Sequence, residues 1–111
     1  MNPYSDERGE KMNKPLKIKF YSDWGHGWAA IKINLLETLG ILSKITPYSY
    51  YRGATAYLEE DCDFSLLVSA LKEANIPYEL VESKSHPARS PIRSYESIAS
   101  SEMYKASHNR M

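Results

Sequence analysis

The sequence has one cysteine, Cys62, among its 111 residues. One cysteine cannot form an intramolecular disulfide, whereas small secreted domains usually carry several. The sequence also lacks a run of about 18 apolar residues, the length that a membrane-spanning helix needs. Its polar first residues, 1–14, have none of the apolar run of a secretory signal. These absences together predict a protein of the cytoplasm, without a membrane anchor.

The chain has no excess of charge of either sign, because 14 basic residues balance 14 acidic ones. A domain that binds nucleic acid usually carries a surplus of Lys and Arg, which neutralise phosphates. The balance therefore argues against direct nucleic-acid binding, although it leaves local patches of either sign open.

The common motifs of catalysis and cofactor binding are missing too. The sequence contains no phosphate-binding Walker loop, no dinucleotide fingerprint, no nucleophile elbow and no zinc spacing. The acidic stretch 59–63 lacks the alternating ligands and the central glycine of a calcium-binding loop. We therefore predict no cofactor and no metal site, and we do not favour an enzyme.

What the sequence does contain is an order of short strands and helices that suits one domain. Alternating or apolar stretches predict strands at 16–22, 28–34, 54–60 and 78–82, and helical spacing and caps predict helices at 34–40 and 61–74. This order predicts an α+β sandwich over 15–98, with about four mostly antiparallel strands and two helices on one face. We expect a disordered arm at 1–14, of which the part before Met12 is dispensable, and a flexible tail at 99–111. Exposed sheet edges would allow a homodimer.

Both predicted helices carry signals at their ends. Asn34 can cap the first helix, and Gly40 suits the position just past its last turn. Asp61 or Asp63 can cap the second helix, and Asn75 followed by proline ends it.

The stretch 47–53, PYSYYRG, holds the most suggestive group of candidate binding residues. Tyr48, Tyr50, Tyr51 and Arg52 are of the two residue types most often found in the hot spots of protein interfaces. The acidic residues that follow would form a rim around them, namely Glu59, Glu60 and Asp63. The alternative interpretation is that one or two tyrosines fill the edge of a thin core and that the carboxylates only cap strand and helix ends.

The stretch 23–28, DWGHGW, predicts a hairpin turn with an exposed aromatic and an imidazole. Asp23 could orient His26, and the two flanking glycines would let a ligand approach the backbone. Trp24 would be a platform for that ligand. The alternative is a tight turn that needs its glycines and leaves the histidine in solvent.

Cys62 is a possible nucleophile, because a helix N-terminus lowers the pKa of a nearby thiol and His26 or His86 could act as the base. Four carboxylates adjacent in sequence oppose a thiolate, however. The sequence therefore favours an inert cysteine over a catalytic one.

The stretch 86–95, HPARSPIRSY, offers two further arginines. Arg89 and Arg93 could join Arg52 in a pocket for a small anion such as a nucleotide, if this stretch folds back on the domain. The alternative is a flexible basic tail.

Four strings in this sequence resemble a family of small proteins that bacteriophages and plasmids carry. They are GHGW at 25–28, LGILSKITPYSYYRG at 39–53, YLEEDCD at 57–63 and SPIRSYES at 90–97. The resemblance covers about residues 16–98. It implies an origin on a mobile element, and it brings no activity and no catalytic residue.

The sequence and this resemblance lead to three functional expectations. The first is a non-enzymatic accessory protein that counters host defence, in the manner of an anti-CRISPR inhibitor, by binding a host protein complex. The alternative is a protein that binds or sequesters a small anionic ligand. The third, given low weight, is a hydrolase that uses His26.

Overall fold

The computed structural model describes residues 14–86 and 88–108, and this part of the chain forms a six-stranded sheet with three α-helices. The strands are β1 (Leu16–Ser22), β2 (Gly27–Lys32), β3 (Tyr50–Arg52), β4 (Thr55–Glu59), β5 (Tyr78–Ser85) and β6 (Glu96–Ser97). The helices are α1 (Ile33–Thr38), α2 (Phe64–Glu73) and α3 (Glu102–His108), and short 3₁₀ turns lie at Leu42–Lys44, Pro91–Ser94 and Ile98–Ser100.

The sheet has the strand order β5-β1-β2-β4-β3-β6 and is mixed, since β5 runs parallel to β1 while the other neighbours are antiparallel. The predicted α+β class is confirmed. The count of about four mostly antiparallel strands is corrected to six in a mixed sheet. The strands β3 and β6 have three and two residues, which is too short for an alternating pattern to show. The parallel pairing arises because α2 carries the chain across the sheet from β4 to β5.

One face of the sheet holds the core. Alternate residues of the central strands, such as Ile18, Ala29 and Leu58, are fully buried there. They pack against Leu36 of α1 and Leu71 of α2, which are also fully buried. Each of the isoleucine and leucine side chains stabilises the fold by roughly 1.5–3 kcal/mol through the apolar area removed from water.

The helices α1 and α2 end with the same C-terminal motif. Gly40 and Asn75 follow these helices with φ angles of 74° and 58°, in the left-handed region that glycine and asparagine tolerate best. The next residue donates its N–H back into the last turn, as Ile41 does to Leu36 O at 3.0 Å. The predicted stop signals are confirmed. The predicted cap Asn34 is wrong, because α1 starts one residue earlier and Lys32 precedes it without a side-chain cap.

The folded domain extends beyond residue 98, where the sequence predicts that it ends. In place of a flexible tail, the structure places α3 there, and its Met103 and Tyr104 pack against the core. The predicted arm at 1–14 lies outside the described residues except for Lys14, and so do residues 109–111. None of the helices in the described ranges has the length and apolar content to cross a membrane.

The other face of the sheet, called the open face below, carries none of the three α-helices of the described residues; the segment with the 3₁₀ turn Pro91–Ser94 lies against part of it. Register places Lys19, Ala30, Tyr57 and Tyr50 in one row across it, on neighbouring strands. One end of this face, called the turn end, carries the row Tyr21, Trp28 and Glu59 beside the β1–β2 turn. The opposite half of this face, called the basic end, carries Lys19 from the middle row and the end row Lys32, Thr55 and Arg52.

Candidate functional site

The turn end is organised by the carboxylate of Asp23. Its Oδ1 accepts the backbone N–H groups of Gly25 and His26, both at 2.9 Å, which folds DWGHG into the predicted turn. Its Oδ2 accepts the N–H of Ser90 at 2.9 Å. A short polar side chain that bonds its own backbone two or three residues ahead is a frequent turn device. Here it also ties the turn to a segment 67 residues later.

Arg93 completes the coordination of Asp23. Its Nε lies 2.6 Å from Oδ2 and its Nη2 lies 3.0 Å from Oδ1, which is a bidentate pair. This hydrogen bond is the main cause that holds the pKa of the Asp23 carboxyl far below its ordinary value. The guanidinium also lies 5.2 Å from the ring centre of Trp24 and 5.8 Å from that of Trp28. Arg93 is therefore committed to an internal ion pair and two aromatic rings.

Close packing explains both glycines of the GHG sequence. A Cβ on Gly25 would lie 3.0 Å from Arg93 Nη2, and one on Gly27 would lie 2.7 Å from ring carbons of Phe20. Neither contact leaves room for a side chain without movement of its neighbours. The structure thus favours the interpretation that the turn needs these glycines over the interpretation that a ligand does.

Glu59 is the second organising carboxylate of the turn end, and it is buried. Its Oε1 accepts the N–H groups of Asp61 and Cys62 at 2.9 and 3.0 Å, and its Oε2 lies 3.1 Å from His26 Nδ1. A carboxylate can only accept, so Nδ1 is the donor. Burial alone would raise the pKa of Glu59, but the hydrogen bonds from His26, Cys62 and the backbone outweigh it and lower the pKa.

Cys62 faces a carboxylate and not an imidazole. Its hydrogen bond to Glu59 is the largest cause that raises the pKa of the thiol, followed by burial and by the charges of Glu59, Asp63 and Asp61. A nucleophilic cysteine needs a base against its sulfur and a lowered pKa. The arrangement therefore agrees with the inert cysteine that the sequence favours.

Asp63 occupies the predicted N-cap position of α2, but its side chain does not cap the helix, and its burial removes it from the predicted exposed rim. It is 1 % exposed and makes no side-chain cap bond to α2. Its carboxylate instead accepts from Thr46 N and Oγ1, at 3.1 and 2.8 Å, and from Ser49 Oγ. The Ser49 hydroxyl in turn accepts the N–H of Glu59 at 2.9 Å. Asp63 thus fixes the loop that carries Tyr48.

Between these groups lies a cleft of about 300 Å³, called the aromatic cleft below. Tyr48 stands at its edge with 63 % of its surface exposed, whereas Trp28 is only 2 % exposed. The Trp28 indole N–H is buried without a hydrogen-bond partner among the described residues. The cleft is lined by His26, Trp28, Tyr48, Tyr50, Glu59, Asp61, Cys62 and Arg93.

The tyrosine–arginine group predicted as one cluster is divided by strand geometry. Because β3 alternates, Tyr50 and Arg52 lie on the open face, and Tyr51 points to the other side. The Tyr51 hydroxyl donates to Glu96 Oε1 at 2.9 Å. Arg52 lies over the ring of Tyr95, 5.4 Å from its centre. Only Tyr48 and Tyr50 reach the aromatic cleft.

The three arginines predicted for an anion pocket are engaged by different groups of the protein. Arg93 lines the aromatic cleft with its fork occupied by Asp23. Arg52 lines a second cleft of about 540 Å³ beside Tyr95 and Glu96, and Arg89 donates to Ser94 at 3.2 Å. Each guanidinium has a different protein partner.

The remaining candidates lie around the aromatic cleft. Trp24 is 73 % exposed beside Arg93, and Glu60 is exposed. Reasoning from sequence alone missed Trp28 as a lining residue, because a tryptophan that starts a strand is most often core. The role of Asp61 was equally hidden, since only the bend at 59–62 brings it to the cleft.

Among the described residues, no group of three or more His, Cys, Asp or Glu side chains is arranged to hold a metal ion. Comparisons with protein-family models, with curated proteins and with solved structures find no match to this chain.

Proposed function

We propose that this protein is a non-enzymatic binding protein that docks a partner protein at the aromatic cleft. The observation that carries the proposal is the meeting of Tyr48, Tyr50 and Trp28 around one cavity with charged groups at its base. Interface hot spots are enriched in tyrosine, tryptophan and arginine, and they lie in pockets that a partner can desolvate. Tyr48 is exposed on a loop that Asp63 holds rigid, so little entropy is lost when it is covered.

The charge of the aromatic cleft supports a cationic group of the partner. Asp23 neutralises Arg93 and the oxygens of Glu59 accept internal hydrogen bonds, which leaves the exposed carboxylate of Asp61 available on the lining. Tyrosine faces attract cations as well. We therefore propose a lysine or arginine side chain of the partner as the occupant.

The biological setting that we propose is inhibition of a host protein complex by a mobile-element protein that counters host defence. This part depends on the family resemblance alone. The two other expectations have less support from the geometry. The anion pocket loses Arg93 to Asp23. A hydrolase built on His26 would find in the aromatic cleft a thiol whose pKa is raised, which makes that thiol a poor nucleophile.

The proposal can be tested with two-dimensional amide and indole NMR spectra of the whole chain. The Trp28 indole N–H reports on the aromatic cleft, and the Trp24→Phe variant identifies its signal. A lysine-containing peptide should shift this signal, and a matched glutamate peptide should not. Tyr48→Ala should weaken the binding about 10-fold or more, whereas Leu80→Ala, which removes an exposed apolar side chain of β5, should not.

Equal shifts with both peptides, or equal binding by Tyr48→Ala and the unchanged chain, would contradict the proposed site. The host partner is then sought by native mass spectrometry of the protein purified from its producing cell. A partner supports the proposal only if Tyr48→Ala loses it and Leu80→Ala retains it.

A further inference from the structure

The open face outside the aromatic cleft carries a surplus of positive charge. Lys17, Lys19, Lys32 and Arg52 are all exposed on it. The carboxylate among the strand residues of this patch is Glu79, which lies 3.8 Å from Lys17 and is half exposed. The described part of this surface is thus strongly basic although the whole chain is neutral.

A row of tyrosines borders these cations. The rings of Tyr21 and Tyr57 are 5.9 Å apart, and those of Tyr57 and Tyr95 are 5.3 Å apart. All three rings are half-buried, so the fold holds them in place while part of each stays accessible. Arg52 extends the row by lying over Tyr95.

Two hollows in the surface lie along this row of tyrosines. One hollow of about 340 Å³ is lined by Lys17, Lys19, Lys32, Tyr21 and Tyr57, among others. A second hollow of about 330 Å³ is lined by Tyr21, Tyr57 and Tyr95, among others. Tyr21 and Tyr57 line both hollows, so the two hollows are neighbours on this face. From β1 to β3 the face crosses three strand spacings, which is about 14 Å.

We propose that this basic–aromatic face binds single-stranded nucleic acid. Lysine and arginine side chains neutralise the phosphates of such a strand, and its unpaired bases stack on aromatic rings fixed to a sheet. Duplex DNA is expected to bind less tightly, because its bases are stacked and paired inside the helix and cannot stack on the tyrosine rings. The inference is independent of the aromatic cleft, which lies at the turn end and has carboxylates on its lining.

The experiment measures binding of the full chain to fluorescently labelled single strands, DNA and RNA of the same sequence, by anisotropy. Affinity should fall as salt is added. A plot of the logarithm of the association constant against the logarithm of the salt concentration should have a slope of about −2, the value for three neutralised phosphates. The double variant K19E/K32E should bind about 10-fold or more weakly. The matched control is K72E, which reverses an exposed lysine on α2, and it should bind like the unchanged chain.

The contribution of the bases is measured separately with Tyr21→Ala and with a polyphosphate chain. Tyr21→Ala should bind the oligonucleotide about 5-fold or more weakly, since stacking on one ring is worth about 1–3 kcal/mol, and Tyr21→Phe should restore binding. Polyphosphate should bind less tightly than the oligonucleotide.

Three results would overturn the proposal. They are no binding of either strand at low salt, equal binding by K19E/K32E and K72E, and polyphosphate binding as tight as that of the oligonucleotide. If Tyr21→Ala lowers thermal stability, its weaker binding no longer reports on stacking alone. The comparison between oligonucleotide and polyphosphate on the unchanged chain then decides whether the bases contribute to binding.

Discussion

The two ends of the open face hold charge in opposite ways. At the turn end, Asp23 and Glu59 are covered, and each carboxylate accepts at least three hydrogen bonds from the protein. At the basic end, Lys19 and Lys32 are exposed, and neither forms an ion pair with a described residue. The first set of charges holds the structure together, whereas the second is available to a ligand.

The contrast distinguishes charged side chains that the fold needs from charged side chains that a partner can bind. A buried carboxylate is costly unless its oxygens are satisfied, so its presence indicates a network on which the fold depends. An exposed lysine contributes little to stability. If several such lysines lie together, the reason for them is therefore better sought in a partner than in the fold.

The largest expected effect follows from removing a carboxylate of the turn end. Asp63→Ala leaves Thr46 N, Thr46 Oγ1 and Ser49 Oγ without their acceptor. We expect a loss of about 4 kcal/mol in the free energy of unfolding, because hydrogen bonds to a charged group contribute about 1.5–3 kcal/mol each and are not fully additive. Urea denaturation measures the loss. The control Asp61→Ala removes an exposed neighbour and should cost less than about 0.5 kcal/mol.

A second expected effect is a pH dependence that originates at Asp23. Its pKa in the folded chain lies far below the ordinary 3.8. The folded state therefore gains stability that is present above about pH 4 and is lost as the pH falls further. Denaturation midpoints at about pH 3 and pH 7 should differ less for Asp23→Asn than for the unchanged chain. Glu37→Gln, which removes an exposed carboxylate of α1, is the control. An unchanged pH dependence in Asp23→Asn would show that its pairing with Arg93 is not formed in solution.

The smallest expected effect is at the basic end. Replacing Lys19 and Lys32 by alanine should change the free energy of unfolding by no more than about 0.5 kcal/mol, since both are exposed and unpaired among the described residues. The same urea measurement serves here. A loss of about 2 kcal/mol or more would mean that these lysines support the sheet, and the contrast between the two ends would fail.

Elements with a regular apolar pattern or with residues that end a helix could be predicted from sequence. Alternation located β1, and the helical stripe with Asn75 located α2. The short strands β3 and β6 could not be found, because their pairing is decided by neighbours distant in the chain and not by their own residues. The same holds for the parallel arrangement of β1 and β5.

The candidate site shows the same division. Sequence reasoning selected Tyr48, Tyr50 and Arg93 as candidates, and all three line the aromatic cleft. It could not show that Asp23 occupies Arg93, because the two residues are 70 positions apart. Sequence reasoning also missed the positive charge of the basic face, because the net charge of the whole chain does not show a local surplus of lysine.

The bond between Asp23 and Arg93 has a consequence for how the chain folds. A contact between residues 70 positions apart forms late compared with hairpins and helices, because the entropy of closing the long loop is lost before the contact is gained. During synthesis, β1 and β2 leave the ribosome long before the segment at 90–97 that covers Trp28. The nascent domain must therefore keep part of its sheet uncovered until the segment at 90–97 has been made, and a chain that stalls or stops before this segment would expose tryptophan and an unpaired strand edge to aggregation.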